Sequence, residues 1–141
     1  MDHIVFITKS SLELKELLAG ERSMIVRGSL GKRVPYGRVN AGDMLFFAIG
    51  NGRNIVRATA MVSDIIDTPK LTPEENTSII ASHRKKLKLS DEERKKLFGK
   101  KYLSLIEISG INPVVPFTVV AHGSGENDDW TVLKDIDEII E

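Results

Sequence analysis

The tightest constraint in this sequence is Asn51-Gly52, set between the apolar run Asp43 to Ile49 and the alternating run Asn54 to Ile66. Asn-Gly supplies the positive φ angles of a tight turn, so the two runs predict a β-hairpin with Gly50-Asn51-Gly52 at its tip. In the second arm Val56, Ala58, Ala60 and Val62 share one face, opposite Arg57, Thr59 and Ser63. One side therefore meets a core and the other meets water.

Other elements fall on either side of this hairpin. Ile4 to Thr8 is a short β-branched run that predicts a buried strand. Ser10 and Glu13 are spaced as a capping box for a helix whose apolar face is Leu14, Leu17 and Leu18 and which Gly20 ends. Ser23 to Arg27 predicts a second strand. Residues 28–42 carry too many glycines and prolines for a regular element and form a basic loop. Thr72-Pro73-Glu74-Glu75 and Ser90-Asp91-Glu92-Glu93 are helix starts. Tyr102 to Ile108 and Pro113 to Val120 are further extended pieces, and a polar loop carrying Trp130 leads to a short acidic end. The order is β, α, then mostly β, with a helical insertion at about 72–101. It predicts an α+β domain, a small mixed or antiparallel barrel-like sheet with helices at its margins, and does not suit alternating βαβ units. No repeat or linker divides the chain, so residues 1–141 are expected to form one domain.

Several chemistries lose support at this level. The chain has no cysteine, which removes disulfides, thiol nucleophiles and Cys-based metal sites. His3, His83 and His122 are far apart and lack metal-ligand spacing, so no metal is expected. His83 sits on an apolar helical stripe, the usual place for a histidine at a core edge. His122-Gly123-Ser124-Gly125 lacks the Gly-x-Ser-x-Gly order of a nucleophile elbow. The glycines at 28, 31 and 37 match neither nucleotide-binding fingerprint, and no cofactor is expected. No run reaches the roughly 18 apolar residues of a membrane span, and Met1-Asp2-His3 is not a basic leader. The expectation is a cytoplasmic protein with no membrane partner.

A net charge of zero over 141 residues hides strong segregation. Residues 20–60 hold seven bases against two acids, and residues 83–101 nine against three, whereas 105–141 hold one base against eight acids. A ligand responds to the local field of the block it meets. Arg22, Arg27, Lys32, Arg33 and Arg38 lie in or beside the glycine-rich loop together with Tyr36. Guanidinium groups bind phosphate bidentately, glycines let backbone approach, and an aromatic face stacks on an unpaired base. The alternative for single arginines such as Arg27 and Arg57 is pairing with acids such as Asp43 and Asp129.

Gly20-Glu21-Arg22-Ser23-Met24-Ile25-Val26-Arg27 resembles the Gly-x-Lys-x-x-Glu-x-Arg signature of ASCH domains, in the PUA-like superfamily that also holds the EVE and YTH domains. Gly42-Asp43 before an apolar strand matches the Gly-Asp turn of these barrels. The resemblance spans roughly residues 3–66 and, more loosely, 102–120. It implies a PUA-like β-barrel whose cleft accepts RNA or a modified base, with Arg22 in place of the signature lysine and Arg27 as its arginine. Ile25 stands where the signature has Glu. Relatives that are amidohydrolases on acetylated cytidine use a Lys, a Thr and a Glu, and the first two fall here on Arg22 and Ile25. Arg is a poor base and Ile cannot act as a nucleophile.

The leading expectation is a nucleic-acid-binding module, for RNA in preference to DNA. Arg22, Arg27, Lys32, Arg33 and Arg38 would meet phosphate, and Tyr36 or Trp130 would stack on a base. No catalytic residue is assigned. The alternatives are a hydrolase, amidohydrolase or ribonuclease, on modified nucleoside or RNA, with Asp43, Glu107 or Asp129 as acid or base, and a protein-docking role for the lysine-rich 84–101 helices.

Overall fold

The structure is a computed structural model and describes residues 1–50, 54–120 and 129–140. In chain order the elements are β1 (Asp2–Thr8), α1 (Glu13–Leu18), β2 (Met24–Ser29), β3 (Met44–Gly50), β4 (Asn54–Asp67), α2 (Pro73–Ser82), α3 (Arg84–Leu87), α4 (Asp91–Leu97), β5 (Tyr102–Thr118) and β6 (Trp130–Leu133), followed by a 3-10 turn at Ile136–Glu138. The strands form one six-stranded sheet in the order β2-β5-β4-β3-β1-β6. Only β1 and β3 run parallel among its neighbouring pairs.

Neighbouring strands stand about 4.8 Å apart, so the outer two of a flat six-stranded sheet would be about 24 Å apart. Here Ile25 of β2 and Trp130 of β6, one from each outer strand, belong to the same core, together with Val5, Leu45, Phe47, Ala58, Ala60 and Ile106. The sheet therefore curls on itself into a half-barrel. The fold is α+β, a small mixed barrel-like sheet with helices at its margins, as the order of elements predicts.

Alternation decides which side chains enter the barrel. On β4, Ala58, Ala60 and Val62 enter the barrel core and Ser63 is exposed, whereas Val56, expected on the same face, lies beyond the irregularity between Val56 and Ala58 and packs in a second cluster with Ile4, Ala48 and Val119. The expected hairpin forms from β3 and β4, although its tip at 51–53 lies outside the described residues. The two extended pieces expected at 102–108 and 113–120 are a single strand, β5. Register shifts against β4 between Val56 and Ala58, Thr59 and Met61, and Val62 and Asp64 absorb the irregular stretch around Gly110 and Pro113.

The outer faces of β2 and β5 are covered by the 72–101 insertion. Met24, Val26, Leu103 and Leu105 pack there against Ile80, Leu87 and Leu97. Both expected helix starts carry full capping boxes, Thr72 with Glu75 and Ser90 with Glu93. Gly28 sits under this insertion, where a Cβ would come within 3.0 Å of Lys100 Cγ and 3.1 Å of the Leu97 and Leu103 side chains. Only glycine lets α4 and the following turn approach so closely.

The capping box expected at Ser10 does not form. Ser11 Oγ instead accepts the Glu13 N–H at 3.1 Å, and no side chain caps α1. The Glu13 carboxylate is drawn into the barrel by a stronger partner, Arg27.

Candidate functional site

Arg27 on β2 lies directly opposite Ser104 on β5 in the antiparallel register, two pairs beyond Ile25 and Ile106. Ile25 and Ile106 are in the barrel core, so period two turns Arg27 and Ser104 toward the same side, at the mouth of the barrel. A cleft of about 570 Å³ opens there. Its walls are residues 27–31 and 33–36, with Lys100, Ser104 and Asp129. Asp129 immediately precedes β6, whereas Arg27 belongs to β2. The cleft thus occupies the seam where the two outer strands of the curled sheet come together.

The Arg27 guanidinium is held from below. Glu13 accepts its Nη2 at 2.8 Å and its Nη1 at 3.2 Å, and the Val26 carbonyl accepts Nη1 at 2.9 Å. Burial works against the charge, and the adjacent Glu13 carboxylate more than offsets it, leaving the Arg27 pKa above its ordinary value. Arg27 therefore contributes a fixed, permanently charged guanidinium to the wall of the cleft, with both Nη atoms already engaged by Glu13 and the Val26 carbonyl.

The loop from Leu30 to Asn40 is pinned at several points. Tyr36 donates its hydroxyl to the Thr68 carbonyl, and its ring meets Tyr102 edge-on at 5.4 Å between centroids. Asp67 joins the loop to β5, since one carboxylate oxygen accepts the Gly37 N–H at 3.1 Å and the other the Ser104 hydroxyl at 2.7 Å. Lys32 stands 5.5 Å over the Tyr102 ring, a cation-π contact. Arg33 and Arg38 are exposed.

Of the seven residues proposed from sequence, Arg27, Arg33 and Tyr36 line the cleft. Lys32 and Arg38 lie on the same loop but outside the lining. Two expectations are corrected. Arg22 has a side chain only 2% exposed and is locked between Glu16 at 2.9 Å and Glu93 at 2.8 Å. Burial opposes its charge, but the two carboxylates outweigh it and raise its pKa above the ordinary value. It fastens α1 to α4 and has no free face for phosphate. Trp130 is 1% exposed, with its indole N–H donated to His3, so it cannot stack on a ligand.

The acid and base candidates also separate. Asp43 is buried and accepts from His3 Nε2 at 2.8 Å, from the Asn40 N–H at 3.0 Å and from the N-terminal amine at 3.2 Å. Burial raises its pKa, but these donors overcome that and hold it below the ordinary carboxylate value. Glu107 pairs with Lys86. Only Asp129 reaches the cleft. Among the described residues no histidine lines it, and His122-Gly123-Ser124-Gly125 lies outside the described residues. Sequence patterning did not single out Lys100 or Ser104 as cleft residues. The signal for Ser104 was its place two residues before Ile106, on the same face of a strand segment that is buried on both sides.

Chemically, the cleft combines cationic groups at its rim, Arg33 and Lys100, with acceptors inside it, Asp129 and the Ser104 oxygen. Such a set is chemically complementary to an anion that carries hydrogen-bond donors of its own.

Comparison with solved structures agrees with this architecture. A variant of the ASCH protein of Zymomonas mobilis with a serine replaced by alanine aligns over 97% of this chain and 91% of its own, with TM-score 0.69 and 12% identity. A tyrosine-to-phenylalanine variant aligns over 97% and 93%, with TM-score 0.66 and 11% identity. A further ASCH structure from the same organism aligns over 82% and 71%, with TM-score 0.61 and 12% identity. No protein-family model and no curated protein matches the sequence. The class the structure defines is an α+β domain built on a six-stranded half-barrel sheet. Within that class its fold is that of the ASCH domain.

Proposed function

We propose that this chain is a nucleic-acid-binding module that takes one unpaired nucleotide of RNA into the seam cleft. The observation that carries it is the convergence of Arg27, Arg33, Tyr36 and Lys100 on a cleft of about 570 Å³, within the size range of small-ligand sites. Arg33 and Lys100 meet phosphate, with Lys32 and Arg38 adding to the field from the same loop. The Tyr36 ring offers an aromatic wall for a base. Asp129 accepts from an exocyclic amine or from a ribose 2′-hydroxyl, the group that distinguishes RNA from DNA. The ASCH fold supports the same reading.

Fluorescence anisotropy with labelled RNA and DNA oligonucleotides of one sequence, each at two salt concentrations, tests it. RNA is expected to bind more tightly, and log affinity to fall with log salt by about 0.7 per phosphate contact. No binding of either at low salt would overturn the proposal.

A further inference from the structure

The basic segment 83–101 enters the cleft only through Lys100. Within it Lys86 is paired with Glu107, Lys88 with Glu16 and Glu21, and Arg94 with Asp91. Lys95, Lys96, Lys100 and Lys101 have no carboxylate within ion-pair distance among the described residues. These four lysines frame Leu97-Phe98-Gly99.

The turn they frame is fixed from beneath. Leu97 is buried in the insertion core. Asn76, 1% exposed, donates from its side-chain amide to the Leu97 carbonyl at 3.0 Å and the Lys100 carbonyl at 2.8 Å. The Lys100 N–H returns to the Leu97 carbonyl at 3.0 Å, and the Lys101 N–H reaches the Ser29 carbonyl at 3.1 Å. Gly99 takes φ +79, which allows the reversal. On the crest of this rigid turn Phe98 is 65% exposed.

A single exposed Phe is ordinary. Its company is what informs: an aromatic face held in water by buried hydrogen bonds, among unpaired cations, next to a lysine that walls the cleft. Sequence-tolerant surfaces for single-stranded nucleic acid have this make-up, with bases stacking on rings and phosphates following positive charge. The Phe98 Cα lies within about 7 Å of the Lys100 Cα by chain geometry, so a nucleic acid leaving the cleft past Lys100 meets Phe98 with its next base.

We infer that the 95–101 turn is a second contact surface for the same nucleic acid, with Phe98 stacking on the base beyond the cleft and Lys95, Lys96 and Lys101 contacting phosphates. It rests on the cleft reading above and extends the site from one nucleotide to several.

The test compares labelled oligouridylates of two and ten nucleotides. The wild-type protein binds the ten-mer more tightly. Phe98→Ala weakens the ten-mer by about 5- to 160-fold, the loss of one stacked base, leaves the two-mer unchanged, and is rescued by Phe98→Trp. The Lys95→Gln/Lys96→Gln double variant lowers the salt slope for the ten-mer by about 1.4. If the wild type binds both oligomers and the variants bind the ten-mer equally well, the turn is not a contact, although the cleft reading stands. If polyglutamate binds the wild type but not the double variant, while the ten-mer binds both with equal affinity and equal salt slope, the turn is a surface for acidic protein and the inference is overturned. If the wild type binds neither oligomer, the cleft reading falls and this inference falls with it.

Discussion

Trp130 donates its indole N–H to Nδ1 of His3 at 3.1 Å, across a T-shaped contact between two rings with almost no exposed surface. An indole nitrogen only donates, so Nδ1 must accept, and the His3 proton sits on Nε2, which donates to Asp43 at 2.8 Å. Protonating His3 would set two N–H groups against each other. Burial lowers the His3 pKa below its ordinary 6.5, and the Asp43 carboxylate only partly counters it.

This geometry gives stability a pH dependence of definite sign. Below about 6.5 the unfolded chain binds a proton at His3 that the folded chain refuses, so stability is complete above that pH and declines as pH falls below it. The slope for one proton cannot exceed about 1.4 kcal/mol per pH unit. Asp43, whose pKa is also lowered, adds a second loss below its unfolded value of 3.8. Urea midpoints measured between pH 7.5 and 3 should fall in these two stages. The His3→Gln variant should remove the first stage, and an unchanged profile in that variant would contradict the assignment.

Trp130→Phe separates a core role from a ligand role. Removing the indole leaves His3 Nδ1 buried without a donor, a loss of about 1–3 kcal/mol in stability. RNA affinity of the folded variant should equal that of the wild type. Weaker RNA binding at full stability would restore Trp130 to the ligand site.

The misassignment of Trp130 has a physical origin. Its neighbours in sequence, Asp128 and Asp129, are polar, and that local context predicts exposure, whereas the histidine that buries it is 127 positions away. Glu13 shows the same limit. A local spacing rule assigned its carboxylate to a helix cap, but the Arg27 guanidinium, fourteen residues on, binds it better. Arg22 stands in a motif that suggests a ligand contact, and no local pattern shows that Glu93 closes over it. What was legible obeyed a short period: the alternation of β4 from Ala58 to Val62 and the capping boxes at Thr72 and Ser90. The cleft itself joins β2 to β6, the two ends of the sheet order. No local pattern reports which ends a curled sheet will bring together.

Arg22→Ala should destabilise the protein without relocating the site. The substitution leaves Glu93 and Glu16 facing each other across the α1–α4 contact without their shared cation. Removing one member of a buried ion-pair set costs about 3 kcal/mol. Thermal unfolding should show this loss, and RNA affinity measured below the transition should change less than twofold.

Glu13→Gln tests the neutralisation of Arg27. The substitution keeps an acceptor near the guanidinium but removes the negative charge that offsets it, so the cleft becomes more positive. Stability should fall by about 1.5–3 kcal/mol, the range for a hydrogen bond to a charged group. RNA should bind more tightly at low salt, with the salt slope steeper by up to about 0.7 as Arg27 becomes free to take a phosphate. Equal or weaker binding with an unchanged slope would show that Arg27 only anchors the wall of the cleft.

Arg33→Glu and Arg38→Glu distinguish the lining of the cleft from its surroundings. Arg33 lines the cleft and Arg38 lies on the same pinned loop outside it. Neither side chain has an ion-pair partner among the described residues, so stability should move by less than about 0.5 kcal/mol in either variant. Arg33→Glu should weaken RNA of every sequence and reduce the salt slope by at least about 0.7, because a direct phosphate contact is lost. Arg38→Glu should weaken binding less, through the local field alone. Titration of both variants with one labelled RNA at three salt concentrations measures the difference. The reverse order of effects would move the phosphate path off the cleft and onto the outer edge of the loop.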